Sequence, residues 1–215
     1  MNLFEILLEG QEQQTIASPI YGVVIGVVTN NEDPENLGRV KIKFPWLSEA
    51  DESDWARIAT PMAGKERGIY FLPEVNDEVL VAFVHGDIRF PYVLGMLWNG
   101  QDQPPANNED GKNNIRLIQS RSGHIVRLND QEGKETIEII DKSGKNSLIF
   151  DTAKNAIAIT ANQDITLSAT QGTIKLEARS IEIKSTADSK IEAGGGMNIE
   201  AKATANLKGA TINLN

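Results

Sequence analysis

The chain has 215 residues, a mass of 23.5 kDa, a formal net charge of -9 and a pI near 4.8. The absence of cysteine excludes a disulfide framework and a thiolate metal site, and the acidity disfavours a nucleic-acid partner. No apolar run is long enough to span a membrane as a helix.

The first stretch, MNLFEILLEG, is too short and too acidic for a secretory leader. The expectation is a protein made in the cytoplasm without a signal peptide. From there, YGVVIGVVTN (21–30) is a β-branched run that suits a strand buried on both faces or bent at Gly26. GRVKIKF (38–44) alternates strictly. Val40, Ile42 and Phe44 face one way, Arg39, Lys41 and Lys43 the other. DEVLVAFVHGDIRFPYVLGMLW (77–98) holds two apolar runs around His85-Gly86-Asp87 and predicts a hairpin. Short strands with Gly and Pro punctuation predict a small barrel over residues 18–99, with Trp46, Trp55, Phe71, Phe83 and Trp98 as candidate filling.

Composition changes after residue 99. Phe150 is the one aromatic beyond Trp98, and no proline follows Pro105. NGQDQPPANNEDGKNN (99–114) is rich in turn formers, so residues 100–122 read as a linker or neck between two domains. From residue 123 to 215 apolar residues recur two apart: Ile137/Ile139, Leu148/Phe150, Ile157/Ile159, then Ile165/Leu167, Ile174/Leu176, Ile181/Ile183, Ile191/Ala193, Met197/Ile199 and Ala210/Ile212/Leu214. The groups form a degenerate strand-and-turn repeat. Period two outweighs the helix formers of EAKATANLK, which Thr, Asn and Gly interrupt.

Each repeat supplies two or three small aliphatic side chains, too few to close a solenoid coil around one chain. The missing wall comes from other copies, and a cyclic homotrimer satisfies this. Ile165, Leu167, Ile174, Leu176, Ile181, Ile183, Ile191 and Ile199 then meet their counterparts on the axis, where an aromatic ring would be too large. Interleaved strands also cover one another's edges. The fold class expected is all-β: a small barrel followed by an intertwined trimeric β-helix.

The stretches GRVKIKFPWL (38–47), WARIATPMAGKERGIYFLPEVNDEVLVAFVHGDIRFPYVLGMLWNG (55–100) and SRSGHIVRLND (120–130) resemble the phage baseplate assembly protein V and VgrG spike family of contractile injection systems. With the alternating tail, the resemblance covers residues 18–215. It implies an OB-fold topology for the barrel and a mechanical role. A central spike caps the tail tube and pierces the target envelope when the sheath contracts, without cofactor or turnover. The particle implied is a phage tail, a tailocin or an extracellular injection machine, with transient contact with the target membrane.

Departures from the family pattern refine this. VgrG proteins carry a hub domain ahead of the barrel. Here the resemblance implies a separate hub protein, with residues 1–17 as docking segment through Leu3, Phe4, Ile6 and Leu7. Packing of that segment on its own barrel is the alternative. Family members with a sharp apex hold a metal in a His-x-His site. No histidine follows His124 here, and the end GATINLN leaves Ala210, Ile212 and Leu214 for a PAAR-type tip protein.

No chemistry-bearing cluster emerges. His85, His124, the run Asp51-Glu52-Asp54 and the pair Glu109-Asp110 read as structural or solvated, and Gly22-x-x-x-Gly26 lacks the Lys-Ser/Thr of a phosphate loop. Catalytic, cofactor and metal residues are therefore expected to be none. The rival readings are an enzyme on a β-helix, which needs far more chain, and an oligonucleotide-binding module, which needs a basic face with exposed aromatics.

Overall fold

A computed structural model of the protein describes residues 19–47 and 51–213. The chain divides into a unit ending at Asn162 and a unit beginning at Gln163.

The first unit opens with β1 (Val24–Asn30), β2 (Lys41–Lys43) and β3 (Arg57–Ile58). A short hairpin follows, β4 (Ala63–Gly64) and β5 (Arg67–Gly68), then β6 (Glu78–Phe83) and β7 (Pro91–Leu97). Five strands form one sheet in the order β2-β1-β6-β7-β3. All neighbours are antiparallel except β3 and β7, which run parallel with Ile58 opposite Val93. The two end strands meet through Val40 and Ala56. Each donates its N–H to the other's carbonyl, at 3.0 and 2.8 Å. That bridge closes the sheet into a barrel of OB type and removes its free edges.

Strand parity fills the barrel as the sequence predicts at β2. Val40, Ile42 and Phe44 are buried, and Lys41 and Lys43 face outward. With Val28, Ala56, Val79, Val81, Phe83 and Val93 they make the core. Fully burying each Val or Ile side chain contributes roughly 1.5–3 kcal/mol. The predicted aromatic filling is corrected except at Phe83. Trp46, Phe71 and Trp98 are at least half exposed. The inward positions take β-branched residues with the rings of Phe44 and Phe83, while the indole of Trp46 lies outside and donates Nε1–H to the Ile25 carbonyl at 3.2 Å.

Gly26, buried on β1, takes the place of a side chain. A Cβ there would overlap Ile42 Cγ2 and lie 3.2 Å from Phe44 Cε1. The β6–β7 hairpin turns through a 3-10 segment at Val84–Gly86, as the His85-Gly86-Asp87 stretch suggests. Gly86 has φ +77, and Pro19 and Ile20 pack so close that a Cβ would sit 2.9 Å from both.

A second sheet follows in the same unit: β8 (Ile115–Gln119), β9 (Ile125–Asn129), β10 (Thr136–Ile140), β11 (Ser147–Asp151) and β12 (Ala156–Thr160). Spatial order equals chain order, so this is an antiparallel meander. Left-handed residues at Gly123, Gly133, Gly144 and Asn155 close its turns. The meander begins at Ile115, inside the stretch read from sequence as linker.

The second unit, from Gln163, has no assigned strand among its described residues. Its one backbone–backbone hydrogen bond there is Gly172 N–H to the Ala169 carbonyl, at 3.3 Å. Lys175 pairs with Glu177 and Lys190 with Glu192, residues two apart, so alternate side chains share a side.

Candidate functional site

Among the described residues, no group of three or more His, Cys, Asp or Glu side chains is placed to hold a metal ion. His85 sits in the β6–β7 turn with φ 49. His124 Nδ1 accepts the Lys142 backbone N–H at 3.3 Å, tying together two turns of the meander. Both imidazoles have structural settings.

Several of the barrel's outward cations are engaged by the chain itself. Arg39 pairs with Asp33 and Glu35, Lys41 pairs with Glu52, and both lie about one ring-width from Trp55, at 6.0 and 5.7 Å from its centroid. Arg57 lies 4.6 Å from the Tyr92 ring centroid. A strip of cations and aromatics is thus present on the OB surface, with its charges largely matched by neighbouring carboxylates.

Asp33 organises the loop between β1 and β2. Its oxygens accept the backbone N–H groups of Glu35, Leu37 and Arg39 at 3.0–3.3 Å, and the Arg39 guanidinium at 2.7 and 2.9 Å. Its side chain is 3% exposed. The Arg39 hydrogen bonds, assisted by those of the backbone, hold its carboxyl well below the usual carboxylate range against the opposing effect of burial. Arg89 lowers Asp87 to about 2 in the same way, and the Ser143 hydroxyl leads a set that lowers Asp141 to about 2.

These depressed values stabilise the fold above the unfolded carboxylate pKa of about 4, and the contribution disappears as pH falls through the folded values. The urea midpoint is therefore expected to fall between pH 5 and pH 2.5. Asp33→Asn should lower the midpoint at pH 6 and flatten this pH dependence. An unchanged acid limb in the variant would show that Asp33 is not a contributor.

The meander offers a surface rather than a pocket. Its registers set Ile137 between Leu128 and Phe150, and Ile139 between Val126 and Leu148. Ile157 and Ile159 continue these rows, and Ile118 adjoins Val126. One face is thereby almost wholly apolar, and most of it is exposed, from 42% at Leu128 and Ile137 to 65% at Ile157. The opposite face carries Arg127 and Glu138 as an ion pair, with Thr136 Oγ1 donating to Glu138 at 2.8 Å. Glu138 is buried there, its side chain 12% exposed.

The expected axis residues Ile165, Leu167, Ile174, Leu176, Ile181, Ile183, Ile191 and Ile199 are all exposed in the single chain, Ile183 and Ile199 by 80%. Ala210 and Ile212 are exposed as well. Leu214, and Leu3, Phe4, Ile6 and Leu7 of the expected docking segment, lie outside the described residues. Sequence reasoning listed the pairs 137/139, 148/150 and 157/159 but joined them to the downstream repeat. It missed Ile118, Val126 and Leu128, although IRLIQ and IVRLN carry the same alternation.

Residues 24–98 match the family described as the Type VI secretion system/phage-baseplate injector OB domain. The chain is 29% identical over 149 residues to the actin cross-linking toxin VgrG1 of Vibrio cholerae, covering 66% of this chain and 14% of that protein. It is 29% identical over 142 residues to the Type VI secretion system spike protein VgrG3 of Vibrio cholerae, covering 62% and 14%. It is 26% identical over 155 residues to the spike protein VgrG1a of Pseudomonas aeruginosa, covering 66% and 24%. The matched part is thus a quarter or less of each of these relatives. Over this matched part the chain is similar to VgrG-type baseplate and spike proteins.

Proposed function

We propose that this VgrG-type chain is the structural central spike protein of a contractile injection system, working as a homotrimer. Its barrel caps the tail tube, and its C-terminal repeat forms an intertwined β-helix that leads through the target envelope on sheath contraction. The observation that carries the reading is the succession of two parts. An injector-type OB domain is followed by a repeat with exposed isoleucines and, among the described residues, no strand ladder in its own chain. Extended backbone with bare aliphatic side chains gains neither a ladder nor burial in isolation, and two further copies supply both.

Two further partners belong to the proposal. A separate hub protein meets residues 1–17 through Leu3, Phe4, Ile6 and Leu7, and a PAAR-type tip sits on Ala210, Ile212 and Leu214. The protein acts in a phage-tail-like particle, among tail-tube and baseplate components, and touches the target membrane in passing. The role asks for no cofactor, no nucleic acid and no turnover.

Light scattering of the native protein is expected to give about 70 kDa, three copies of 23.5 kDa. A folded species of one-copy mass would overturn the spike assembly. Deleting residues 207–215 is expected to abolish co-purification of the tip while the trimer mass, less the deletion, is kept. Undiminished tip capture by the truncated chain would remove that part of the proposal.

A further inference from the structure

We infer that the apolar face of the β8–β12 meander is the primary contact between copies, and that it gathers them before the downstream repeat can interleave. This inference rests on the homotrimeric reading above. It separates two kinds of association that the sequence periodicity runs together.

In the meander every ladder closes within one chain, strand against neighbouring strand. Its backbone leaves open only the outer edges of the end strands β8 and β12. The larger unsatisfied surface is made of side chains: Ile118, Val126, Ile137, Ile139, Ile157 and Ile159 stand on one face, each 42–65% exposed. With Leu128 the bare apolar area is roughly 700 Å² per copy, above the few hundred Å² that a monomer's largest patch normally reaches and close to one partner's share of a standard interface.

Downstream of Gln163 the situation is reversed. There the backbone itself lacks partners among the described residues, so copies must exchange hydrogen bonds along the whole segment. That second need identifies what covers the first. A segment that requires further copies follows directly in the chain, so those copies are present at the meander in equal number.

Order of assembly follows from loop closure. Meander hairpins join residues a few positions apart and close fast, while pairing between copies is bimolecular and depends on concentration. Three apolar faces brought together raise the local concentration of the three downstream segments, which then pair as tethered neighbours.

Two full-length variants distinguish the stages. Ile139→Glu places three charges inside the proposed face contact. It is expected to lower the native mass threefold, to one copy, and to expose the amides of residues 163–213 to rapid hydrogen exchange, with the strand signal in circular dichroism retained. Ile191→Glu, in the repeat, is expected to leave the trimer mass intact while exchange accelerates in residues 163–213 alone. Thr160→Glu, on the meander's other face, serves as the control and keeps both mass and protection.

An Ile139→Glu protein that remains trimeric with its repeat protected overturns the inference and leaves the spike reading standing. So does an Ile191→Glu protein that falls to one copy. A wild-type chain that is itself a folded monomer overturns both.

Discussion

Ile183→Ala is expected to shorten the lifetime of the assembled trimer in guanidinium by orders of magnitude. Ile183 is 80% exposed in the single chain, so association changes its surroundings as much as those of any residue of the repeat. A buried Ile→Ala change costs about 2–5 kcal/mol per site, and a threefold axis incurs the loss three times in one layer. On the proposed axis the three sites would touch, so the losses would not simply add. Even so, the total stays well above the effect of one surface substitution.

The neighbouring Lys184 is the control, because alternation turns it to the other side. Lys184→Ala should change the unfolding rate little, within about 0.5 kcal/mol. Unfolding of interleaved chains breaks many layers together, so the rate rather than the midpoint is the sensitive measure. Equal unfolding rates for the two variants would mean that Ile183 does not lie on an axis.

The second large effect lies in the barrel. Gly26→Ala is expected to destabilise the OB domain by about 1–3 kcal/mol or more, the usual range for overfilling a packed core. The added methyl has no room to turn away. Besides the overlap with Ile42 Cγ2 it would meet the Lys43 carbonyl oxygen at 3.3 Å, on the strand paired with β1. Ile42→Ala alone should cost about 2–5 kcal/mol, because Ile42 is fully buried and its loss leaves a cavity.

Combined, the two changes partly cancel, since Ile42→Ala removes the methyl that the new Cβ strikes. Chemical denaturation of the four proteins of this cycle should give a double variant more stable than the sum of the single losses, by at least about 1 kcal/mol. Strict additivity would show that the clash with Ile42 is not what fixes glycine at position 26.

Much of this fold is legible in the sequence, for a reason that also sets the limit. GRVKIKF states which side chains face inward, because strand period and side-chain alternation are the same thing. Val40, Ile42 and Phe44 are buried accordingly. The closing bridge between Val40 and Ala56 has no local signal. It depends on strands brought together by the whole sheet. The same limit misplaced the tryptophans. Composition says that indoles are available, while only the folded barrel says that two phenyl rings fill the aromatic space inside.

The repeat shows the limit most clearly. Ile157/Ile159 and Ile181/Ile183 look alike as sequence. The first pair lies on a strand with a partner in its own chain, the second on backbone with none among the described residues. Periodicity reports which face is apolar. It is silent on whose strand lies alongside.

The bare repeat also gives a copy without partners a different fate from an assembled one. Lys175, Arg179, Lys184, Lys190, Lys202 and Lys208 all lie exposed along unladdered backbone after Gln163. Proteases need a stretch of chain free of ladders to draw into their clefts, and an orphan copy offers one many residues long. In the proposed trimer, where three chains share their hydrogen bonds, the same positions would be out of reach. Completeness of that assembly would then be written into its susceptibility to cleavage, and odd copies would be cleared without any factor that counts to three.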